Sequence, residues 1–196
     1  MSNVIPFIKR FVPGLAPVSL GERLRASIGA LIGILVTGLV ASLALGGSDV
    51  PLLIAPMGAS AVLLFAVPTS PLAQPWSIIG GNTVSALIGV TCARYVGDPM
   101  VAAALAAGLA IAAMMALRCL HPPSGAVALT AVLGGPAIQA AGYGFVLWPV
   151  GVNSLLLLVA ALLFNNLTGR RYPHLTQRHR PIPIRRPTCC PAPGWA

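Results

Sequence analysis

Long apolar segments alternate with short ones along this chain. The long ones are sufficient to cross a bilayer as helices, and they cover about residues 26–45, 76–96, 99–117 and 145–167. Two shorter apolar segments, about 56–67 and 123–133, each begin at a proline. Because proline suits the first turn of a helix, these two segments are predicted to be short helices that follow an extended entrance. The pattern therefore predicts an all-α, polytopic membrane helix bundle in which two elements are broken or half helices.

The chain also repeats short motifs in the same order. Pro56-Met57-Gly58-Ala59 corresponds to Pro123-Ser124-Gly125-Ala126, and Gly80-Gly81-Asn82-Thr83 corresponds to Gly151-Val152-Asn153-Ser154. Between these motifs, Pro71 and Gln74 recur as Pro136 and Gln139. Each half thus contains a span, a broken element, a turn with a glutamine and a span with an asparagine. This order predicts two internal repeats, about 25–96 and 97–168.

The number of elements in each repeat bears on the topology. Three elements per half is an odd number, so the halves have opposite orientation if each broken element crosses the membrane completely. Paired, interrupted segments of this kind are the sequence feature that best indicates a substrate site in a membrane protein. We therefore favour six segments in a 3+3 inverted repeat. Four spans plus two re-entrant elements is the alternative.

Composition supports the membrane assignment and charge indicates an orientation. The mean hydropathy is +0.88 and only 8% of residues are charged, which excludes an ordinary soluble domain. Of the 12 basic residues, only Arg94 and Arg118 lie between Ala26 and Gly169. The basic residues outside the spans predict that both termini are cytoplasmic. They also favour contact with membrane lipid over binding of nucleic acid.

The same division predicts the domain organisation. A membrane domain at 25–168 is flanked by a basic lead-in at 1–24 and by a basic, proline-rich tail at 169–196 that is expected to be disordered. In a bacterial cell the corresponding location is the cytoplasmic (inner) membrane.

The candidate chemistry centres on His121-Pro122-Pro123-Ser124-Gly125-Ala126. A helix that begins near Pro123 is expected to leave the next amides without intrahelical partners, and an anion is a favourable partner for such amides. The candidate substrate-binding residues are those of both half-helix starts and the paired polar residues of the closing spans: His121, Pro123, Ser124, Gly125, Ala126, Met57, Gly58, Ala59, Asn82, Thr83, Asn153 and Ser154. The alternative is a structural role, in which His121 caps neighbouring groups and the polar residues hold helices together.

Acidic residues are scarce in the membrane domain. Between Ala26 and Gly169 they are Asp49 and Asp98, both at span ends, so a carboxylate cage for a cation is disfavoured and an anion or neutral solute is favoured. No metal, cofactor or catalytic motif is evident, and no metal site, cofactor or enzyme activity is predicted. His121 titrates near neutral pH when unperturbed. Because its protonated form would add positive charge beside the start of the half helix, we predict anion transport that rises as pH falls.

Three motifs together resemble a known family. Leu120-His121-Pro122-Pro123-Ser124-Gly125-Ala126, the turn at 70–75 and the Gly80-Gly81-Asn82-Thr83 segment are similar to those of the HPP family of integral membrane proteins, over about residues 20–170. The resemblance implies a small multispan protein, and plastid and cyanobacterial members are linked to nitrite transport.

The expected function is therefore a transporter or channel for a small inorganic anion, with nitrite favoured. A structural or assembly subunit is the alternative, and an intramembrane enzyme is the least favoured. A homo-oligomer is compatible with so few segments.

Overall fold

The computed structural model describes residues 17–45 and 53–174, and these residues form a helical bundle. Its α-helices, in chain order, are α1 (Leu20–Leu45), α2 (Pro56–Ala66), α3 (Pro75–Tyr95), α4 (Pro99–Ala116), α5 (Pro123–Leu133), α6 (Pro136–Ala141) and α7 (Val152–Leu167). A 3₁₀ turn at Pro71–Ala73 precedes α3, and a π-helical turn at Val146–Gly151 precedes α7. The described residues contain no β-strand. The predicted all-helical class is confirmed.

Four helical segments are long and apolar enough to span a membrane, namely Leu20–Leu43, Pro75–Tyr95, Pro99–Ala116 and Val146–Leu167. The two short apolar helices α2 and α5 each have 11 residues; α5 has its predicted bounds and α2 ends one residue before its predicted end. Proline occupies the first position of every helix from α2 to α6, where its fixed φ is already helical and its missing amide hydrogen costs nothing. The proline positions therefore explain most of the helix starts.

The first helix begins six residues earlier than predicted, at Leu20 rather than Ala26. The Ser19 hydroxyl accepts a hydrogen bond from the Glu22 amide at 3.3 Å, and Ser-x-x-Glu is the sequence signature of a helix N-terminus. The predicted lead-in at 1–24 is thus helical at its end. Its residues 1–16, the segment 46–52 and the tail beyond His174 lie outside the described residues.

Hydrogen bonds gather several helix termini at one end of the molecule, which we call the basic end. Arg25, near the start of α1, donates to the Asn165 Oδ1 atom of α7 at 2.9 Å and to the Phe65 carbonyl of α2 at 3.0 Å. Glu22 forms ion pairs with both Arg25 and Arg170. The start of α1, the end of α2 and the end of α7 are therefore held together.

Two further bonds add α3 and α4 to the basic end. The Trp76 indole N–H donates to the Leu117 carbonyl at 3.2 Å, and the Tyr172 hydroxyl donates to the Ala73 carbonyl at 2.6 Å. The beginning of α3 therefore lies beside the end of α4 and beside the segment after α7.

The far end of the molecule is defined by the residues that line a common cavity there, among them Val96, Pro99, Val132 and Gln139. These residues belong to the end of α3, the start of α4, the end of α5 and α6. Helix α5 therefore ends at the far end, whereas the connection that leads into it leaves α4 at the basic end. Helix α2 ends at the basic end, and its first residue Pro56 lines a groove together with Leu133 and Gly134.

The last predicted span is interrupted near its start. Trp148 has φ −136° and ψ 123°, which are extended values, and it lies inside the π-helical turn. Pro149 follows and has no amide hydrogen to continue the helix. The segment therefore enters α7 through a bend rather than as the continuous helix that was predicted from Phe145.

Gly29 and Gly33 mark a close approach between α1 and its neighbours. An added Cβ at Gly33 would lie 2.7 Å from the ring of Phe65, and one at Gly29 would meet the rings of both Phe65 and Phe164. The two rings meet edge to face with centroids 5.7 Å apart. The absence of side chains on this face of α1 therefore allows α2 and α7 to pack against it.

Candidate functional site

The chain reverses sharply at the end of α4, and this turn positions the His-Pro-Pro motif. The Cys119 amide donates to the Met114 carbonyl at 2.9 Å and the Arg118 amide donates to the Met115 carbonyl at 3.2 Å, which is the bonding pattern of a Schellman cap. Arg118 adopts a left-handed conformation with φ 55°. The chain then runs directly along α3, which brings His121 into the interior.

His121 is fully buried, and both of its ring nitrogens have partners. Nδ1 lies 2.8 Å from the Leu72 carbonyl oxygen and Nε2 lies 2.9 Å from the Ser60 hydroxyl. Because a carbonyl only accepts, Nδ1 carries a hydrogen. His121 therefore joins the turn before α3, the start of α5 and helix α2.

The Ser60 hydroxyl allows this arrangement to persist in either charge state of the imidazole. When His121 is neutral, Nε2 accepts the Ser60 hydrogen. When His121 is protonated, Nε2 donates to the Ser60 oxygen, and the hydroxyl donates to the Pro56 carbonyl at 3.3 Å. Rotation of one hydroxyl thus preserves every hydrogen bond around the ring.

A second group of buried polar residues joins α3, α5 and α7. The Ser124 hydroxyl donates to Asn82 Oδ1 at 2.7 Å, and Asn82 Nδ2 donates to the Ser154 hydroxyl oxygen at 2.8 Å. Ser154 in turn donates to the Val150 carbonyl at 2.7 Å. All three side chains are at most 1% exposed. We call Ser60, His121, Asn82, Ser124 and Ser154 the polar cluster.

The backbone of α3 approaches the motif closely at Gly81. A Cβ at this position would lie 2.8 Å from the Cys119 carbonyl oxygen, 2.9 Å from His121 Cβ and 2.9 Å from Ser124 Oγ. Only glycine allows this distance without displacement of the neighbouring chain. Gly81 therefore lies beside both His121 and Ser124, one from each hydrogen-bonded group of the polar cluster.

The remaining candidate residues occupy other positions. Thr83 is half-buried, and no hydrogen bond joins it to the cluster within the described ranges; Asn153 is buried beside Ser154. Met57 and Pro123 are buried in the core.

The small residues of the half helices lie on a different surface. Gly58, Ala59 and Ala126 are exposed and Gly125 is half-buried. Ala59 and Ala126 line an open groove of about 440 Å³ between α2 and α5. An added Cβ would meet nothing within 4 Å at either Gly58 or Gly125. The candidates thus divide between the interior polar cluster and this outer groove.

The expectation that the half helices begin with unpaired amides is wrong for four of them. The Ser124 and Gly125 amides donate to the carbonyls of His121 and Pro122, at 2.9 and 3.1 Å. In α2 the Met57 and Gly58 amides donate to Ile54 and Ala55, both at 3.0 Å. A tightened first turn satisfies these groups locally. Side chains, rather than these amides, are therefore the donors that remain for a ligand.

The buried polar side chains of the described residues are Ser, Thr, Asn and His, with no Asp, Glu, Lys or Arg among them. The same ranges contain no group of three or more His, Cys, Asp or Glu side chains that could hold a metal ion. The interior thus presents neutral hydrogen-bond donors, together with one residue that can gain a positive charge.

Ser60 and the Leu72 carbonyl are the partners that sequence reasoning missed. Ser60 is 61 residues from His121, and no local motif connects them. The one signal in the sequence is the position of Ser60 directly after the Pro56-Met57-Gly58-Ala59 motif, on the half helix that repeats the motif after His121. Ser60 and His121 are also within hydrogen-bond distance as a nucleophile and base would be, but both are 0% exposed.

Comparison with known proteins gives a consistent result. Residues 15–173 match the family model described as "HPP, transmembrane region". Two curated transmembrane proteins of Dictyostelium discoideum are each 37% identical over 151 residues, which is 74% of this chain and 48% and 53% of theirs. The chain thus spans about half the length of these relatives. No solved structure gives a significant match.

Proposed function

Since the chain belongs to the HPP transmembrane family, we propose that it is a transporter or channel for a small inorganic anion, with nitrite as the favoured substrate. The observation that carries the proposal is the polar cluster, in which Ser124, Asn82 and Ser154 bring hydroxyl and amide donors together at the meeting of α3, α5 and α7. Small oxyanions accept several hydrogen bonds at once. A site without a fixed carboxylate favours such a ligand over a cation.

In this proposal, the hydrogen-bonded polar cluster is the closed state of the anion site. Its donors are engaged with one another, and an anion would bind by replacing the bond between Ser124 and Asn82. The anion would take the Ser124 hydrogen, and a water that enters with it would donate to Asn82 Oδ1, which as an unsatisfied buried acceptor would otherwise cost about 1–3 kcal/mol. The α5 connection must move slightly from α3 at Gly81, since no space is left there.

Six crossings in a 3+3 inverted repeat form part of the same proposal. Helix α5 and its connection run from the basic end to the far end, and α2 runs towards the basic end. Each interrupted element then counts as one crossing, and α1 and α4 run in opposite directions. Residues 119–121 and the 12 helical residues from the N-cap Pro122 to Leu133 together reach at most about 28 Å, which is close to a hydrocarbon core of about 30 Å.

The distribution of arginines supports a cytoplasmic basic end. Of the described arginines, Arg94 lies at the far end and the others lie at the basic end, in the first turns of α1 or just after α4 and α7: Arg23, Arg25, Arg118, Arg170 and Arg171. Positive charge accumulates on the cytoplasmic side of membrane proteins. We therefore assign the far end to the outer side of the membrane.

Flux of nitrite into proteoliposomes tests the proposal, with the leakage of protein-free liposomes subtracted because nitrous acid crosses lipid. Ser124→Ala removes one donor with little change in volume, and flux should fall about two- to tenfold, which corresponds to one neutral hydrogen bond. Thr37→Val is the matched control, because Thr37 is buried but bonds only to Gly33 within its own helix.

Wild-type protein that conducts no anion above the liposome background would refute transport. It would favour the alternative of a structural or assembly subunit, for which a closed hydrogen-bond cluster is sufficient. Equal flux in Ser124→Ala and wild type would instead remove the polar cluster from the pathway.

A further inference from the structure

A cavity of about 280 Å³ opens at the far end of the molecule, apart from the polar cluster. The ends of α3 and α5, the start of α4 and helix α6 form its walls, and Arg94 and Gln139 are its polar side chains. We propose that this cavity is a second binding site, which takes a free small inorganic anion through the guanidinium group of Arg94. That the bound anion is the transported one rests on the proposed function; the binding itself does not.

The guanidinium group of Arg94 lies over an aromatic ring. Its guanidinium carbon lies 5.6 Å from the centroid of the Tyr143 ring. Tyr143 is itself positioned by Thr91, whose hydroxyl lies 3.2 Å from the Tyr143 hydroxyl. Within the described residues no hydrogen bond engages the Arg94 N–H groups, and these are the donors through which a guanidinium group binds an oxyanion.

The charge of Arg94 is not neutralised by an ion pair within the described residues, whose ion pairs join Glu22 to Arg25 and Arg170 at the other end. The neighbouring carboxylate of Asp98 has a different role, since its Oδ1 atom accepts hydrogen bonds from the Met100 and Val101 amides at 2.9 and 2.8 Å. Asp49 lies outside the described residues. An anion would therefore meet a cation that the described carboxylates leave unpaired.

The rest of the cavity suits a small ligand. Its volume is several times the roughly 30 Å³ that one water occupies in the liquid, so an anion fits with part of its hydration shell. Gln139 is fixed at the wall by a hydrogen bond from its Nε2 atom to the Val132 carbonyl at 3.3 Å, and its second N–H remains as a donor. Most other lining residues are apolar, whereas Arg94 itself is exposed, so added salt should weaken its attraction for an anion.

Protection from chemical modification tests the site without any measurement of transport. The whole chain, in nanodiscs of zwitterionic lipid that leave both faces open, is treated with phenylglyoxal, and the rate at each arginine is followed by mass spectrometry. Nitrite at twice its Kd should slow modification of Arg94 about threefold. Arg171, which is exposed at the basic end, is the control within the same molecule and should react at an unchanged rate. Equal rates at Arg94 with and without nitrite, up to molar concentrations, would overturn the proposal.

Two further experiments test the role of the Tyr143 ring and the identity of the bound anion. Tyr143→Phe keeps the ring and should retain protection by nitrite, whereas Tyr143→Ala should lose most of it; an identical response of the two variants would refute the positioning of Arg94 by the ring.

Nanodiscs that contain anionic lipid test a lipid phosphate as the ligand. Protection by that lipid and none by nitrite would overturn the proposal.

Transport kinetics connect the site to the proposed function. Arg94→Gln should raise the KM for nitrite uptake about tenfold, as the loss of one charge-assisted hydrogen bond requires, and leave the maximal rate unchanged. Arg171→Gln, at the basic end, should change neither. Flux in the wild type with no protection of Arg94 would refute this site alone. Protection of Arg94 with no flux would refute transport and retain the site.

Discussion

Gly81→Ala tests the closest contact in the candidate site. The added methyl group would lie 2.8 Å from the Cys119 carbonyl oxygen and 2.9 Å from Ser124 Oγ. A backbone carbonyl cannot rotate away as a flexible side chain can. The connection into α5 must therefore move away from α3, and the 2.7 Å hydrogen bond from Ser124 to Asn82 must lengthen.

The expected cost follows from three contributions. Overpacking of a tight interior typically costs about 1–3 kcal/mol, and a weakened neutral hydrogen bond costs about 0.5–1.5 kcal/mol. Replacement of glycine by alanine within a helix returns about 1 kcal/mol. The free energy of unfolding should therefore fall by about 0.5–3.5 kcal/mol.

Two other glycines provide matched controls. At Gly125 an added Cβ meets nothing within 4 Å, so Gly125→Ala should be neutral or stabilising by up to about 1 kcal/mol. At Gly89 the Cβ would lie 2.6 Å from the Ala128 carbonyl oxygen, about two turns of α3 away from Asn82. Gly89→Ala should therefore destabilise the fold to a similar extent while leaving the polar cluster intact.

The assay combines the midpoint of thermal unfolding in detergent, followed by tryptophan fluorescence, with nitrite flux per folded molecule. Gly81→Ala should lower both the midpoint and the flux, Gly89→Ala mainly the midpoint, and Gly125→Ala neither. A midpoint for Gly81→Ala equal to that of Gly125→Ala would refute the packing argument. An equal loss of flux in Gly81→Ala and Gly89→Ala would show that flux reports packing and not the cluster.

Three further substitutions test other parts of the structure. His121→Asn should flatten the predicted rise of nitrite flux with falling pH, measured against protein-free liposomes; an unchanged pH profile would leave His121 the role of holding Leu72 and Ser60. Tyr172→Phe should lower the free energy of unfolding by about 1 kcal/mol through loss of the bond to Ala73. Burial raises the pKa of Tyr172, so wild-type stability should fall as pH rises above the unfolded value of about 10, and a denaturant titration should find a shallower fall in the variant. Arg118→Gly should raise the unfolding midpoint, because the left-handed conformation costs a residue with a side chain about 1–2 kcal/mol and costs glycine little. A lowered midpoint would contradict that interpretation.

Helix positions are predictable where a strong local signal marks them. The starts at Pro56, Pro99 and Pro123 follow from the sequence because a proline fixes the first helical turn, and the structure places them there. The start at Leu20 escaped prediction although Ser19 and Glu22 form a recognisable capping pair. The bend at Trp148 has a weaker signal, because a proline within an apolar segment is compatible with either a kinked or a restarted helix.

The candidate site is predictable only in part, because its contacts join residues that are distant in sequence. The motif and the repeated asparagine indicate His121, Ser124 and Asn82, which the structure brings within one region. Neither the pairing of Ser60 with His121 nor the bond from Arg25 to Asn165 follows from spacing, since both depend on how helices pack. The prediction of unpaired amides at the half-helix starts follows from ideal helix geometry. It is wrong for the Met57, Gly58, Ser124 and Gly125 amides because a tightened first turn gives them carbonyl partners.

The pairing of Ser60 with His121 also has a consequence for how the protein is made. Helix α2 leaves the ribosome 61 residues before its histidine partner, which at about 5–20 residues per second is an interval of roughly 3–12 s. During this interval α2, with only 11 residues, is too short to cross the bilayer alone and carries a hydroxyl whose later partner has not yet been synthesised. The first half of the chain therefore cannot complete its interior by itself. Membrane insertion is finished only when the second half arrives, so a ribosome that stalls between the halves should yield a product for the membrane quality-control proteases.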